Sequence, residues 1–433
     1  MLSANAGLDG SSFYTAYKMF KHLLYIIAIL LNIFIGLIST SSSSFESALR
    51  SLWQAIKLLK KQEHMKTHLV AWIASTSIIC FFSGCHQQQS SKQEATATTE
   101  KQQFLSAPLI SSIYTADPSA HVFEGEIYIY PSHDIDVGTP ENDHGDHFAM
   151  RDYHVLSMDN IEGVVSDHGI ALDVADIPWA KRQLWAPDAA YKNGTYYLYF
   201  PAKDKDDVFR IGVATASTPA GPFKAMKEPI KGSYSIDPAV FIDDDDQAYM
   251  YFGGIWGGQL QRWETGNYEA EGSFTDLKQD DSPAISCRVA KLNPTMIEFD
   301  GSVEKALLVD SMGKPILGGD HERRFFEGAW MHKYNGRYYF TYSTGDTHFL
   351  AYAIGDSPMG PFTYAGHFME PVQGWTTHHS IIEIKGKWYI FYHDTELSGK
   401  THLRNVKVTE LTHLADGRIK MIDPFISQPQ QVD

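Results

Sequence analysis

The chain has 433 residues, 43% apolar and 13% aromatic, a composition that fits a globular protein and excludes a wholly disordered one. Its formal net charge is −16, and because the first 64 residues carry six basic and three acidic side chains, the remainder stands at about −19. Such an acidic surface argues against nucleic acid, anionic lipid headgroups or polyanionic polysaccharide as the main partner and suits a neutral ligand.

Two apolar stretches open the chain. Tyr25 to Ile38 (YIIAILLNIFIGLI), with Met19 to Leu24 ahead of it, has the length and hydropathy of a membrane span. At Met65 a second pattern begins, MKTHLVAWIASTSIICFFSGC, with a positive start, an apolar core and Ser83-Gly84-Cys85. It resembles a bacterial lipoprotein signal peptide, in which the Cys is lipidated and becomes the mature N-terminus. On that resemblance residues 65–85 are the signal and residues 86–107 a polar linker. Residues 1–64 are then an upstream over-call or, alternatively, a membrane segment. The implied location is the cell envelope, lipid-anchored to a bacterial outer membrane, with membrane contact only through the anchor or the N-terminal segment. Of the three cysteines, Cys80 and Cys85 lie here, so no internal disulfide is possible further on and Cys287 reads as a small buried hydrophobe.

From Pro108 onward no long amphipathic helical pattern appears. Five stretches instead share one theme, a strand, a polar turn and a second strand: DPSAHVFEGEIYIY from Asp117, APDAAYKNGTYYLYF from Ala186, DPAVFIDDDDQAYMYFGG from Asp237, EGAWMHKYNGRYYFTYS from Glu327 and HHSIIEIKGKWYIFYH from His378. Their turns, Glu-Gly, Asn-Gly, Asp-Asp, Asn-Gly and Lys-Gly, suit the positive φ angles of tight hairpins. Five such units predict an all-β fold, a five-bladed β-propeller over residues 108–433 with four strands to a blade. The heads of the five inner strands then converge at one end of the central channel. Those heads are Asp117, Ala186, Asp237, Glu327 and His378, and four of the five are titratable. Ionisable groups are costly at the head of a buried strand, so three carboxylates and a histidine in register point to chemistry.

Cleaving a glycosidic bond with inversion needs these types. One protonated carboxyl must face the leaving oxygen, and one ionised carboxylate must activate a water about 6.5–9.5 Å away across the sugar. A third carboxylate nearby raises the acid's pKa by like-charge repulsion. Asp117 in TADPSAHVFEGEIYIYPS, WAPD at Trp185–Asp188, Asp237 in SIDPAVF and Glu327 in FFEGAWMHKYNGRYYFTYS resemble glycoside hydrolase family 43. HDIDVGTPENDHGDHFAMRDYHV, RQLWAPDAAYK, YFGGIWGGQLQR and GWTTHHSI are most similar to its single-domain bacterial β-xylosidases.

The resemblance implies an inverting exo-β-1,4-xylosidase acting on xylo-oligosaccharides, with α-L-arabinofuranosidase activity, alone or in addition, as the alternative. A non-catalytic glycan-binding lipoprotein is a remoter one. It implies Asp117 as general base, Glu327 as general acid and Asp237 as the residue that tunes and orients the acid. It also implies that His378, selected over His379 by register, ligates a divalent cation, calcium, near the channel axis, and that Arg404 contacts the sugar. Trp185 is placed to stack on a sugar face.

Three other features carry less. The His- and Asp-rich residues 133–154 match no metal-motif spacing and read as a long first-blade loop at the pocket rim. Asp243–Asp246 lacks calcium-loop spacing and falls at a hairpin turn. Gly253–Gly258 lacks the helix that a phosphate loop needs and reads as a mobile loop near the sugar.

Overall fold

All five hairpin sequences fold as antiparallel hairpins in a computed structural model that describes residues 103–273 and 279–426. The chain divides into two units, Met1–Thr98 and Thr99–Asp433. The description below concerns the second; the membrane-type stretch, the signal-type segment, Cys80, Cys85 and the linker up to residue 102 lie outside the described residues.

The inner strands are Tyr114–Phe123, Asp188–Lys192, Ala239–Ile242, Glu327–Tyr334 and His379–Ile384. Four of the five turns have both central residues at positive φ: Glu124-Gly125, Asn193-Gly194, Asn335-Gly336 and Lys385-Gly386. This is the mirror-image turn whose twist matches the flanking strands. The third hairpin is longer, with only Asp246 at positive φ. Its acids are held by basic partners rather than arranged as a cage. Lys333 Nζ donates to Asp243 at 2.8 Å and Asp244 at 2.6 Å, and Lys192 Nζ lies 2.9 Å from Asp246.

Each hairpin is the inner half of a blade, and five sheets result. The first blade is completed by Asp152–Met158 and Ser166–Asp173, the second by Phe209–Ala216 and Lys224–Ala225, and the third by Cys287–Lys291 and Glu304–Ala306. The fourth adds Leu350–Gly355 and Phe362–Met369, with Leu308–Val309 parallel at its outer edge. The protein is therefore a five-bladed β-propeller, with three short 3₁₀ turns and no α-helix among the described residues. The fifth blade departs from the four-strand expectation: it has three strands, ending with Asn405–Leu411. Here the chain leading into the first blade takes part, through Leu109 N to Val406 O at 2.8 Å and Thr115 N to Arg404 O at 2.9 Å. Those bonds join the first and last blades and close the ring.

A tyrosine recurs on the second strand of every blade: Tyr130, Tyr199, Tyr251, Tyr342 and Tyr392, each under 2% exposed. Three of their hydroxyls reach into the next blade. Tyr130 donates to Pro219 O at 2.7 Å, Tyr199 to Met296 O at 2.8 Å and Tyr251 to Pro358 O at 2.5 Å. The ring of each fills the space between sheets while its hydroxyl satisfies a buried carbonyl. Cys287 is buried in the third blade and unpaired, as a small hydrophobe.

Candidate active site

The strand heads depart from regular β geometry, and that departure re-aims their side chains. Asp117 and Asp237, each followed by proline, have φ of 48° and 54°. The first inner strand carries a register shift between Ala116 and Ser119, and the fourth carries one between Glu327 and Trp330. Such bulges add a residue and turn a side chain out of the pleat. Gly328, inside the second bulge, has φ of 66°, and a Cβ there would lie 3.2 Å from the His378 ring. Glycine is what lets the fourth blade lie this close to the fifth.

Asp117, Asp237, Glu327 and His378 consequently line one cavity of about 290 Å³, together with Trp185 and Arg404. Residues 261 positions apart in sequence thus share one site, as the register argument requires. Neighbouring it is a basin that shares Glu141, Trp375 and Thr401 with the first cavity.

The three carboxyls are driven in opposite directions. Asp117 is 6% exposed, and burial by itself would raise it. The Arg404 guanidinium, donating from Nη1 to Oδ1 at 2.8 Å, outweighs this and holds the carboxyl down at about 2. Ser132 Oγ donates to its other oxygen at 2.5 Å. Glu327 is pushed up to about 8, by burial first and then by the negative charge of Asp117. Asp237 is also raised, by burial, then by Glu327 and Asp117, even though it accepts from Gly328 N at 3.0 Å. At neutral pH the Asp237–Glu327 pair holds a proton while Asp117 is ionised.

The family model for glycosyl hydrolases family 43 matches residues 106–419. The chain belongs to glycoside hydrolase family 43. Among its relatives, a xylosidase/arabinosidase 43A of Humicola insolens is 59% identical over 320 residues, spanning 72% of this chain and 98% of the relative. A β-xylosidase of Xylanibacter ruminicola is 52% identical over 314 residues, spanning 72% and 97%. The fold matches the crystal structure of a family 43 β-xylosidase/α-arabinofuranosidase from a compost microbial metagenome, in complex with xylotriose and in a calcium-free form. That match has a TM-score of 0.74 at 68% identity and covers 74% of this chain and 98% of the other.

Within this family 43 chain, Arg404 is 2% exposed and is no surface ion pair. Its Nε and Nη2 grip Asp134 Oδ2 and Oδ1, each at 2.8 Å, in the planar fork geometry only arginine offers, while Nη1 holds Asp117. Trp185 is both cavity wall and packing core. It lines the cavity, while its indole N–H donates to Phe148 O at 2.8 Å and its ring packs 4.7 Å from Phe209. His378 is buried, with neither ring nitrogen hydrogen-bonded to the described residues, and burial lowers its pKa so that the ring is neutral. His379 turns away from the cavity to meet Thr341 Oγ1 at 2.7 Å.

Sequence reasoning missed a supporting layer. Asp188, two residues past the second strand head, is 1% exposed and accepts from Ser119 Oγ, from His121 Nε2 at 2.8 Å and from Val240 N at 2.5 Å. It therefore ties the first three blades together. His393 Nδ1 accepts the Asp117 N–H at 3.0 Å, so that nitrogen carries no proton, and the carboxylate 3.3 Å away has no cation in it. The signal available for Asp134 and His393 was a polar residue ending an apolar strand, the same signal used at the strand heads. The rim loop holds as a reading for residues 135–151, which bring Glu141, Asn142, His147 and Phe148 to the cavity. The Gly253–Gly258 loop also reaches the cavity, but it is pinned: Gly254 N donates to Ser235 Oγ at 3.0 Å and Ser235 Oγ to Gly258 O at 2.6 Å.

Proposed function

We propose that this glycosidase is an exo-acting β-1,4-xylosidase that releases xylose from xylo-oligosaccharides with inversion. The observation that carries the reading is the opposed tuning of two carboxyls in one cavity, Asp117 near 2 and Glu327 near 8. A base must be ionised and an acid protonated at the same pH, and this environment supplies both. Relatives named as xylosidases support the sugar, and the acidic surface suits a neutral glycan. Cleavage of α-L-arabinofuranosides is the second reading, favoured because the Humicola relative carries both names. A purely glycan-binding protein has no use for such an acid–base pair.

In this mechanism Glu327 donates its proton to the glycosidic oxygen as the bond to the anomeric carbon breaks. Asp117 accepts a proton from the water that attacks the opposite face of the sugar. The products are a free alcohol and a sugar of inverted configuration, and solvent exchange returns the proton from Asp117 to Glu327. Asp237 accepts the N–H of Gly328, fixing the peptide that carries Glu327, and the two carboxyls titrate as a pair that keeps a proton at neutral pH. Arg404 holds Asp117 ionised and is close enough to the cavity to meet a sugar hydroxyl. Trp185 offers an indole wall to the sugar, and the basin beyond Trp375 suits the following residues of the oligosaccharide.

A divalent cation, calcium by the family resemblance, fits the floor of this cavity. The test is His378, whose two ring nitrogens are buried without a hydrogen bond to the described residues and whose ring is neutral, the form that ligates. His378 would hold the ion, with water completing the oxygen-rich shell that calcium requires. The ion would supply fixed positive charge beneath the sugar. We further read residues 65–85 as a lipoprotein signal and the enzyme as anchored in the cell envelope. Cys85→Ala, in a chain started at Met65, is expected to leave the membrane fraction.

The deciding experiment follows hydrolysis of xylobiose and of aryl xyloside and arabinofuranoside by proton NMR, with and without chelator. The expected result is xylose that first appears in inverted configuration, with activity lowered by chelator and restored by calcium. A retained anomer would overturn Asp117 as base, and arabinose release without xylose release would favour the second reading. Full activity in excess chelator would leave His378 without the ion.

A further inference from the structure

The His- and Asp-rich stretch after the first hairpin does not belong wholly to the rim loop. His133 lies at the end of the strand Glu126–Asp134, while Asp152 and His154 open the strand Asp152–Met158, so all three stand on strands at the neck of the loop 135–151, with register shifts flanking His154 on its pairing with the outer strand. Despite those shifts Asp152 and His154 face one another. His133 Nδ1 lies 2.6 Å from Asp152 Oδ1, and His154 Nε2 lies 3.9 Å from the same oxygen. One donor atom from each of the three falls within 4.8 Å of the others. The two imidazoles meet edge to face at 4.8 Å and 64°. None of the three lines the cavity that holds Asp117 and Glu327.

We propose that His133, Asp152 and His154 form a second metal site, for a divalent transition ion of the zinc class, which clamps the neck of the rim loop. Two imidazoles and one carboxylate are the donor set that zinc takes, and two nitrogens among three protein donors favour it over calcium, whose shell is mostly oxygen. Tetrahedral zinc at about 2.0–2.2 Å from each donor sets donors about 3.3–3.6 Å apart, between the 2.6 and 3.9 Å separations of the two histidines from Asp152, so small side-chain shifts bring donors that already lie within 4.8 Å of one another into place. The ion replaces the proton now shared between His133 and Asp152, and water takes the fourth position.

A further feature points the same way. His154 Nδ1 is 2.8 and 3.1 Å from the two oxygens of Asp167, on the blade's outer strand. That carboxylate accepts the hydrogen bond that Nδ1–H donates, which leaves Nε2 with its lone pair toward Asp152. Metal-bound histidines are oriented by such a carboxylate behind them. Side chains 17%, 10% and 12% exposed for His133, Asp152 and His154 give the ion a path from solvent without leaving the site fully open. The consequence is mechanical: the two ends of the loop that brings Glu141, His147 and Phe148 to the substrate cavity would be cross-linked through one ion.

The test uses the purified full chain, stripped with chelator and titrated with Co²⁺ followed by visible absorption, and with Zn²⁺ by calorimetry. The expected result is d–d bands of a low-symmetry N/O site that Zn²⁺ displaces, at one equivalent. His154→Ala and His133→Ala should each weaken binding by at least tenfold. Asp167→Asn should weaken it by about 10–100-fold while the bands keep their shape. His378→Ala should leave this binding unchanged. Zn²⁺ should also protect residues 135–151 from proteolysis in the parent chain and not in His133→Ala. The proposal is overturned if Co²⁺ gives no such bands, if His154→Ala binds as the parent does, or if His378→Ala abolishes the signal. X-ray absorption of the Zn²⁺-loaded parent, requiring no variant to fold, must show two imidazoles in the first shell; one or none rejects the site.

Discussion

At the scale of single residues, the site is a contest between desolvation and charge. Asp117 is buried and Glu327 half-buried, and the guanidinium 2.8 Å from Asp117 leads the interactions that hold it down while the negative charge of Asp117 helps push Glu327 up. On the proposed roles, Asp117→Ala should lower kcat by about 10²–10⁴-fold on every substrate, because no group remains to activate water. Glu327→Ala should be as severe on xylobiose but far milder on aryl xylosides, whose leaving group needs little protonation. Comparing the two variants on both substrates checks the assignment, and equal losses throughout would reject it.

The pH dependence follows from the same groups. The acid must be protonated, so activity falls as pH rises through the pKa of Glu327, near 8. Removing the like charge of Asp237 by Asp237→Asn should lower that pKa and shift the basic limb of the kcat/KM profile toward lower pH. A limb that stays put or moves upward contradicts the coupling.

Stability moves in the same direction with pH. Because the Glu327 carboxyl is raised from 4.5 to about 8 on folding, the unfolded chain loses its proton first. Folded stability contributed by the protonated group is complete below about 4.5 and declines as pH rises toward 8, by at most about 1.4 kcal/mol per pH unit. Glu327→Gln should accordingly raise Tm relative to the parent at pH 8 and gain little at pH 4.5. A difference in Tm independent of pH would show that the buried carboxyl is not strained.

At the scale of elements, the hairpin turns and the tyrosine positions do different work. The Asn-Gly and Lys-Gly turns set register locally, through φ angles that their own residues tolerate. The tyrosines act between blades, where a hydroxyl meets a carbonyl that only the neighbouring sheet supplies. Tyr199→Phe keeps the ring and strands the carbonyl of Met296, so it should cost about 1–3 kcal/mol in chemical denaturation with little effect on KM. A change below a few tenths of a kcal/mol would mean that water reaches that carbonyl.

At the scale of the whole molecule, the ring must be closed, and the site lies across the closure. Arg404, beginning the last blade's outer strand region, bonds Asp134 and Asp117 of the first blade. Alongside, Leu105 N donates to Pro424 O at 2.8 Å, and the Phe104 ring packs 3.9 Å from Lys407 Nζ and 5.5 Å from Phe425. Deleting residues 103–110 should therefore lower Tm by several degrees and reduce kcat, although none of those residues lines the cavity. Unchanged activity would show that the Arg404 network closes the ring unaided.

Local rules made much of this legible beforehand. The turn dipeptides, the period-2 apolar runs and the titratable strand heads each state their preference within a few residues, so the hairpins, the five-fold repeat and Asp117, Asp237, Glu327 and His378 could be read from the chain. What the sequence does not encode locally is which blade supplies the partner of each buried group. Asp188 looked like one more strand residue until three blades converged on it, and Asp134 like a loop acid until Arg404 arrived from 270 positions away. The direction of each carboxyl's pKa was likewise settled by tertiary structure, because desolvation and a charge at 2.8 Å exist only once the ring has closed.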